Sequence, residues 1–366
     1  MSDGFALRRE PFDLGALGDE EVLVEPLLGS WEANIDHALA RSPIDVCSSR
    51  REKKVVLGNL GVVRVLEPGR AVTTLREGDL CLLMPFGKCD RYGYAELAYA
   101  YDAPGTIGLL AKRSKIPARV LLPMPEDTPY SLRQWATYGR YFTAWDNWRK
   151  AFGCWRTQIP DDDPADHLVF GWGGGVSFAE LLLAKEAGFK VAMAVGSDAR
   201  IEFLRKHGIE PVDRRTFPDL AVPDKRDPGF PARHRASMRE FLTRIGELSG
   251  GAGAAIIVDN IGAPVFAATL KALGRQGVIA TCGWKAGMRM TTLRGAECIS
   301  RHIHVHTHVW NLGDSPRIRD LQEGAGWIPP EDATVVYDFD DVPNLYADYA
   351  AGRVESYFPL YQVNPL

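Results

Sequence analysis

The sequence predicts an α/β protein in which a β-rich part precedes a doubly wound parallel sheet. Three observations support this fold class. The first third of the chain consists of short apolar runs separated by glycine and proline, apolar runs alternate with helical patterns from residue 167 onward, and a glycine-rich turn joins the first of these later strands to a helix. Such alternation is typical of a parallel sheet that carries helices on both faces.

The composition is that of a globular protein of about two domains, since 366 residues allow roughly 150 for each. A net charge of −4 gives no electrostatic reason to expect a nucleic acid or an anionic membrane as a partner. We find no apolar run that matches a signal peptide or a membrane span. Six cysteines without a CxxC pair argue against a disulfide framework and a four-cysteine zinc site. We therefore expect a cytoplasmic protein.

Three strands and two turns are predicted in the β-rich part. The strands cover residues 21–24, 61–66 and 80–84, and the turns lie at residues 67–69 and 76–79. Frequent glycine and proline between short strands predict a small barrel-like domain.

The later part reads as alternating strands and helices, after an aromatic-rich helix at residues 135–152. The predicted strands are residues 167–170, 190–195, 254–259 and 277–283, and the predicted helices are residues 178–187, 199–207, 236–248 and 265–273. Segment 217–235 is rich in proline, aspartate and arginine, and we interpret it as a surface insertion.

The glycine-rich turn, Gly171-Trp172-Gly173-Gly174-Gly175-Val176-Ser177, lies between a predicted strand and a predicted helix. Glycines here let the backbone approach a pyrophosphate, whose charge then faces the amides of the helix N-terminus. The strand–turn–helix context makes this signal stronger than the glycines alone, although an ordinary tight turn remains the alternative. The candidate cofactor-binding residues of this turn are Gly171, Gly173, Gly174, Gly175 and Val176.

Four segments together resemble the medium-chain dehydrogenase/reductase superfamily over nearly the whole chain. They are residues 57–63 with the turns that follow, residues 171–177, residues 258–262, and residues 273–283. The resemblance implies a Rossmann domain inserted in a GroES-like β-barrel catalytic domain, and a homodimer. It implies catalytic-domain parts at residues 1–145 and 315–366 and a cofactor domain at residues 146–314. It also implies cofactor contacts for Asn260, Cys282 and Gly283.

Departures from this family concern zinc. Zinc-dependent members have a cysteine after the early strand and His-Glu after the barrel glycine, where this chain has Trp31 and Asn59-Leu60. Only Cys89 lies near the place of the four-cysteine lobe. Because catalytic zinc needs three well-placed protein ligands, we expect no metal. The chain therefore resembles the zinc-independent branch, which includes quinone oxidoreductases, enoyl reductases and crotonyl-CoA reductase-like proteins. The last glycine of the turn is also replaced, by Ser177.

The end of the second strand bears on the choice of nicotinamide. An NAD site usually has an acid at this strand tip, but here Gly196 and Ser197 precede Asp198. The small residues leave room for a 2′-phosphate, which Arg200, with Arg205 or Lys206, can neutralise. We predict NADPH rather than NADH. The alternative, that Ser197-Asp198 is only a helix N-cap, is compatible with either cofactor.

Four of the eight histidines occur with period two, at His302, His304, His306 and His308. On a strand they share one face, and a neighbouring pair about 7 Å apart can reach one metal ion. The alternative is a half-solvated strand at a dimer seam or an active-site rim. The resemblance to crotonyl-CoA reductase-like members implies a substrate-contacting histidine here. His308 is then the first candidate for a proton donor or carbonyl ligand, and His306 the second, since histidine titrates near neutrality.

Three further residues are candidates for substrate contact. Asn34 and Asp36 lie on the early loop, with a role as turn or cap residues as the alternative. Tyr138 can donate a hydrogen bond to a carbonyl, although aromatic residues at its spacing more often pack the core.

The combined prediction is an NADPH-dependent reductase without catalytic zinc that transfers hydride to a C=C bond conjugated to a carbonyl. The substrate is then a small molecule or an acyl thioester, and nucleic acid and membrane are not partners. Two alternatives remain. One is carbonyl or alcohol redox chemistry, with a metal on the histidine strand, and the other is a non-catalytic dinucleotide-binding protein.

Overall fold

The computed structural model describes residues 7–220, 226–283, 287, 291–307 and 310–366, without the side chains of residues 294, 306 and 307. It contains two compact units. The first comprises Met1–Phe142 and Trp310–Leu366, and the second comprises Thr143–Val309. The assignment of these units to catalysis and to cofactor binding remains a proposal. No helix in the described ranges is both long and apolar enough to cross a membrane.

The first unit is built mainly from β-strands. Its strands are β1 Glu21–Ser30, β2 Gly61–Pro68, β3 Leu80–Leu83, β4 Phe86–Cys89, β5 Ala95–Ala98, β6 Ser114–Pro117, β7 Leu121–Pro123, β14 Thr334–Asp338 and β15 Phe358–Gln362. Seven of them form one sheet in the order β14-β15-β1-β2-β3-β7, with β6 also paired to β1, while β4 and β5 form a separate ribbon. Its helices are α1 Ala33–Leu39, α2 Val46–Arg50, α3 Leu132–Trp135, α9 Ser315–Gly324 and α10 Val342–Ala350.

Close backbone packing at one end of β1 and β15 requires glycine. Gly29 pairs with Tyr361 across these antiparallel strands, and the Tyr361 hydroxyl fills the space beside Gly29 and Gly58. A Cβ on Gly58 would lie 2.3 Å from that hydroxyl oxygen, and Gly58 has a φ of +98°. Any larger side chain at Gly58 would therefore displace the tyrosine or strain the backbone. This packing positions Asn59, the next residue.

The second unit is a six-stranded parallel sheet with helices. Its strands are β8 Leu168–Trp172, β9 Lys190–Val195, β10 Glu210–Asp213, β11 Ala254–Asp259, β12 Leu273–Thr281 and β13 His304–Thr307, and its helices are α5 Gly175–Glu186, α6 Asp198–Lys206, α7 Phe230–Leu248 and α8 Ala263–Ala272, with a π-helix at Arg294–Ile299. Helix α4, Tyr138–Gln158, begins in the first unit and ends in the second. The strand order is β10-β9-β8-β11-β12-β13, with parallel pairing throughout. The predicted doubly wound sheet is confirmed, and its order reverses between β8 and β11, where such sheets bind ligands.

Two predictions for the second unit are wrong. Segment 217–235 is not simply a surface insertion, because Phe217 and Leu220 are buried in the core and α7 already begins at Phe230. The polar composition of the segment concealed these anchors. His302 lies outside β13 with a φ of +55°, so the four histidines do not occupy one regular strand.

A buried carboxyl group lies between α4 and α5 in the second unit. Glu180 and Asn147 are both fully buried, and Asn147 Nδ2 donates a hydrogen bond of 2.8 Å to Glu180 Oε1. Glu180 Oε2 and Asn147 Oδ1 have no partner among the residues described. Burial raises the pKa of Glu180 well above its usual range, and the bond from Asn147 opposes this shift only in part. A neutral Glu180 has an O–H that can donate to Asn147, so the protonated acid suits this position.

Glu180→Gln is expected to stabilise the protein at alkaline pH. A raised pKa contributes stability that is complete below the unfolded-state value of about 4.3 and is lost as the pH rises toward the folded-state value. Glutamine keeps the shape of the acid and cannot ionise. We expect the variant to melt at least roughly 1 °C higher at alkaline pH, the shift that about 1 kcal/mol produces in a protein of this size. Near the unfolded-state pKa, the two proteins should melt together.

The matched control is Glu186→Gln, since Glu186 is exposed on the same helix. Its melting temperature should differ from that of the wild type equally at both pH values. A gain for Glu180→Gln that does not depend on pH would contradict the protonated acid.

Candidate functional site

The glycine turn connects β8 to α5 at the point where the sheet order reverses. Gly173 has a φ of +136°, and a Cβ there would lie 2.5 Å from Ser177 Oγ and 3.2 Å from the Asn260 Cβ. Gly174 is the N-cap of α5, is exposed, and has nothing within 4 Å of an added Cβ. Gly171 lies in β8, and Gly175 and Val176 form the first turn of the helix. The turn therefore leaves the amides of the helix N-terminus accessible to an anion.

A hydrogen-bond network joins three strand ends beneath this turn. The buried Ser177 hydroxyl donates to Trp172 O at 2.8 Å and accepts from Asn260 Nδ2 at 2.9 Å. Asn260 Oδ1 in turn accepts from the Cys282 amide at 3.0 Å and from its thiol at 3.1 Å. The network thus connects the ends of β8, β11 and β12. Ser177, which departs from the usual glycine, closes the turn through its side chain.

Asp259, at the end of β11, shapes the loop that carries Asn260. Its buried carboxylate accepts hydrogen bonds from the amides of Ile261 and Gly262, at 3.1 and 2.9 Å, and from Thr269 Oγ1 at 2.9 Å. Burial raises the pKa of Asp259, and these hydrogen bonds oppose the shift. The loop is therefore held by side-chain bonds, as a preorganised ligand site requires. Gly283, after β12, lies beside Asn260, whose carbonyl oxygen is 3.2 Å from the position of an added Cβ.

Arg214, which the sequence did not single out, lies beside Gly196, the residue that follows β9. A Cβ on Gly196 would lie 2.4 Å from Arg214 Nε, so glycine leaves room for the Arg214 guanidinium. Arg214 follows β10, which pairs with β9. Its signal in the sequence was its position directly after a strand. The dinucleotide-binding motif concerns the residues directly after β9 and therefore does not point to Arg214.

The acid near this strand tip is already paired. Asp198 forms an ion pair of 2.6 Å with Arg215, which also binds Asp213 at 2.7 Å. The predicted N-cap is present, because Ser197 Oγ accepts a hydrogen bond of 3.4 Å from the amide of Arg200. The cap is compatible with either nicotinamide. Asp198 is thus paired with Arg215, and the guanidinium of Arg214 lies beside Gly196 at this end of the sheet.

The first unit holds a second polar group, the early-loop cluster of Trp31, Glu32, Asn34, Asn59 and Tyr361. Asn34, on α1, donates a hydrogen bond of 3.2 Å from Nδ2 to Asn59 Oδ1. The ring of Trp31 packs edge-on against Tyr361 with centroids 6.3 Å apart. Asp36 accepts a hydrogen bond of 3.3 Å from Trp31 Nε1, which fits its alternative role as a structural residue. The structure thus places Asn34 in contact with the buried Asn59, whereas Asp36 binds the indole N–H of Trp31.

Several polar atoms of the early-loop cluster lack a partner in the described part of the chain. They are Asn34 Oδ1, Asn59 Nδ2 and the Tyr361 hydroxyl, whereas Glu32 Oε1 forms an ion pair of 3.4 Å with Arg140 Nε. Burial raises the pKa of Glu32, and the charge of Arg140, 3.4 Å away, opposes the shift. Burial also raises the pKa of Tyr361, and Glu32 adds to that shift. These groups have hydrogen-bonding capacity that the protein itself does not use.

The other candidate residues are Tyr138, His306 and His308. Tyr138 is buried, and its hydroxyl donates to Ser315 O at 2.5 Å, which favours the core interpretation. His308 lies outside the described residues. His306 belongs to β13, but its side chain lies outside the description, and His304 on the same strand is exposed. Within the described ranges, no group of three or more His, Cys, Asp or Glu side chains is arranged to hold a metal ion.

Comparison with known proteins gives a family match for part of the chain and several similar folds. Residues 175–323 match the family model described as zinc-binding dehydrogenase. The fold is similar to crotonyl-CoA carboxylase/reductase AntE in complex with NADP, with a TM-score of 0.77, 20% identity, and coverage of 96% of this chain and 89% of that chain. No curated protein sequence matches this chain.

Two further structures have the same fold. The 2-octenoyl-CoA carboxylase reductase CinF, in complex with NADP and 2-octenoyl-CoA, gives a TM-score of 0.74 and 19% identity, covering 96% of this chain and 80% of the other. The alcohol dehydrogenase of the archaeon Aeropyrum pernix gives 0.75 and 19%, covering 97% and 96%. The predicted fold class of a Rossmann domain with a GroES-like domain is therefore confirmed, and the family match over residues 175–323 agrees with the predicted resemblance to the medium-chain dehydrogenase/reductase superfamily.

Gly173→Ala is expected to lower both the melting temperature and the affinity for a dinucleotide. The new methyl group would meet Ser177 Oγ at 2.5 Å on a backbone with positive φ, so the turn must shift. We expect a loss of NADPH affinity of at least about tenfold, which corresponds to roughly 1.4 kcal/mol. Isothermal titration calorimetry and thermal melting measure the two effects.

Gly174→Ala is the matched control, because its added Cβ meets no protein atom within 4 Å. It should retain the wild-type melting temperature. Equal melting temperatures for Gly173→Ala and Gly174→Ala would show that the turn tolerates a side chain at Gly173, against our expectation.

Proposed function

We propose that this protein is an NADPH-dependent oxidoreductase that works without catalytic zinc and reduces a C=C bond conjugated to a carbonyl. The observation that carries this proposal is the glycine turn at the reversal of the sheet order, held by Ser177 and Asn260 and flanked by Arg214 at the next strand end. The NADP complexes among the similar folds support the choice of cofactor.

The residues at this end of the sheet fit NADPH. The amides of Gly174, Gly175 and Val176 would bind the pyrophosphate at the start of α5. Arg214, with Arg200, would bind the 2′-phosphate beside Gly196, where the fork of the guanidinium suits a phosphate. Asn260, Cys282 and Gly283 would line the nicotinamide end. When bound, NADPH supplies a hydride.

The substrate side of the proposal rests on residues of the first unit and of the histidine strand. The early-loop cluster offers unpaired hydrogen-bonding groups for a polar part of the substrate. His308 remains the first candidate for the proton donor and His306 the second. Zinc independence rests on Trp31, which is fully buried in an apolar cluster, and on Asn59, which binds Asn34. An indole and an amide in these places are poor ligands for catalytic zinc.

Carbonyl or alcohol redox chemistry is the second candidate function. The alcohol dehydrogenase among the similar folds and the description of the matching family model favour it. In that case hydride would add to the carbonyl carbon rather than to a conjugated carbon. The homodimer and the cytoplasmic location also remain predictions.

Arg214→Ala is expected to weaken NADPH binding by at least about tenfold and to leave NADH binding unchanged. The physical reason is that only NADPH has the phosphate that a guanidinium beside Gly196 would bind, and one charge-assisted contact contributes about 1.5–3 kcal/mol. Fluorescence titration of both cofactors measures the ratio.

Arg239→Ala is the control, because Arg239 is an exposed arginine of α7. It should bind both cofactors as the wild type does. An unchanged ratio of NADPH to NADH affinity in Arg214→Ala would refute the assignment of the 2′-phosphate site.

The proposed reaction is tested with NADPH deuterated at the transferred position and a panel of enoyl thioesters, enones, quinones and aldehydes. Mass spectrometry should find deuterium on the β-carbon of a product. Deuterium on a former carbonyl carbon would establish the second candidate. No transfer to any compound, with NADPH still bound, would overturn the proposed function and favour a non-catalytic dinucleotide-binding protein. His308→Ala should slow turnover at least about a hundredfold if His308 is the proton donor.

A further inference from the structure

Asn59 is a buried amide whose donor group is not used. Its side chain is 2% exposed, and its Nδ2 has no hydrogen-bond partner in the described ranges. A buried donor without a partner lowers the stability of a fold, and native interiors keep few of them. The unpaired Asn59 donor therefore indicates a position at which a ligand binds.

The bond to Asn34 does not satisfy the pair. Asn34 Nδ2 donates to Asn59 Oδ1 at 3.2 Å, while Asn34 Oδ1 and Asn59 Nδ2 stay unpartnered among the residues described. Exchanging oxygen and nitrogen in both amides preserves the bond and still leaves one donor and one acceptor without a partner. In either arrangement one NH2 group of the two asparagines has no partner among the described residues. Asn34 and Glu32 are themselves only half-buried, so the cluster lies near the surface of the first unit.

Tyr361 presents a second unused donor next to Asn59. Its hydroxyl is unpartnered within the described chain and lies against Gly58, the residue that precedes Asn59. Burial, followed by the charge of Glu32, raises the pKa of this phenol. It therefore keeps its proton and can donate a hydrogen bond at any physiological pH.

We propose that the Asn59 amide, with the Tyr361 hydroxyl beside it, binds the carbonyl oxygen of the substrate and stabilises the negative charge that develops there. This inference rests on the proposed function and assigns the group that polarises the substrate. Two uncharged donors, one N–H and one O–H, are the chemistry of an oxyanion site. The substrate class is accordingly a conjugated carbonyl compound.

The electron balance of the step explains the need for these donors. In the proposed reduction, bound NADPH would supply a hydride to the β-carbon and become NADP+; the C=C π pair would then form the new C=C bond of an enolate, and the carbonyl π pair would move onto oxygen. The Asn59 amide would then face an anion, to which its hydrogen bond is stronger than to the neutral carbonyl. A proton from water would add to the α-carbon and restore the carbonyl.

The test uses p-(dimethylamino)cinnamaldehyde, a conjugated aldehyde whose visible absorption shifts to longer wavelength when its carbonyl oxygen accepts a hydrogen bond. The full-length protein is titrated with the probe in the absence of NADPH, so the measurement does not depend on turnover. We expect a red shift with the wild type, its loss in Asn59→Leu, and a smaller shift in Tyr361→Phe. Both substitutions nearly conserve side-chain volume.

Melting temperatures separate a binding role from a structural one. Asn59→Leu removes an unpaired buried donor together with the acceptor of one hydrogen bond from Asn34, so its melting temperature should fall less than that of a variant that loses two hydrogen bonds. Asn364→Leu is the matched control in the same unit, since Asn364 Nδ2 donates to Pro26 O at 2.8 Å and to Lys112 O at 3.0 Å. The control should melt lower and keep the red shift.

Three results would overturn the inference. They are a wild type that gives no shift at saturating probe, an Asn59→Leu protein that keeps the shift, and an Asn59→Leu protein that loses as much stability as Asn364→Leu. With a substrate in hand, Asn59→Leu should also lower kcat by about a hundredfold, as the loss of one oxyanion donor does. Deuterium transfer by the wild type with unchanged kcat in Asn59→Leu would refute this inference and leave the proposed function standing.

Discussion

The hydrogen bonds of the Asn260 side chain are the interactions on which the proposed cofactor end of the second unit depends. It binds Ser177 at the start of α5 and Cys282 after β12, while its own amide donates to Trp172 O at the end of β8. One residue thus ties together the three strand ends that border the reversal of the sheet order. Without these bonds, the glycine turn would be free to adopt other conformations, because glycine has little conformational preference of its own. Asp259 supports this arrangement by accepting hydrogen bonds from the amides of Ile261 and Gly262.

The two candidate sites differ in how fully their hydrogen bonds are satisfied. Around Asn260 the polar groups bind one another, as expected for a rigid platform that presents backbone amides to a ligand. In the early-loop cluster, by contrast, three polar atoms lack hydrogen-bond partners among the described residues. A platform for a cofactor gains from being complete before binding, whereas a site for a reacting group needs donors that are still free. This contrast is the physical basis of our proposal that the first group binds the cofactor and the second binds the substrate.

The superfamily resemblance could be predicted from the sequence because glycine turns and strand–helix alternation are local signals. Gly173 needs a positive φ, and the order of apolar runs indicates a parallel sheet. The surface-insertion interpretation of segment 217–235 failed for the opposite reason. Its two core residues, Phe217 and Leu220, are isolated in a polar sequence, and composition averages over a window cannot detect single anchors. His302 left the predicted strand because alternation specifies only that a strand can form and leaves its first residue open.

The sequence by itself determined the doubly wound sheet, the glycine turn, the small residues after β9 on which the NADPH prediction rests, and the absence of the usual zinc ligands at Trp31 and Asn59. Only the tertiary structure decided that Arg214 lies beside Gly196, that Asn260 binds Ser177, and that Asn34 meets Asn59. The Ser177–Asn260 bond joins residues 83 positions apart, and the Asn34–Asn59 bond joins residues 25 positions apart. Such contacts depend on which elements become neighbours in the fold, and the periodicity of one element does not specify its neighbour.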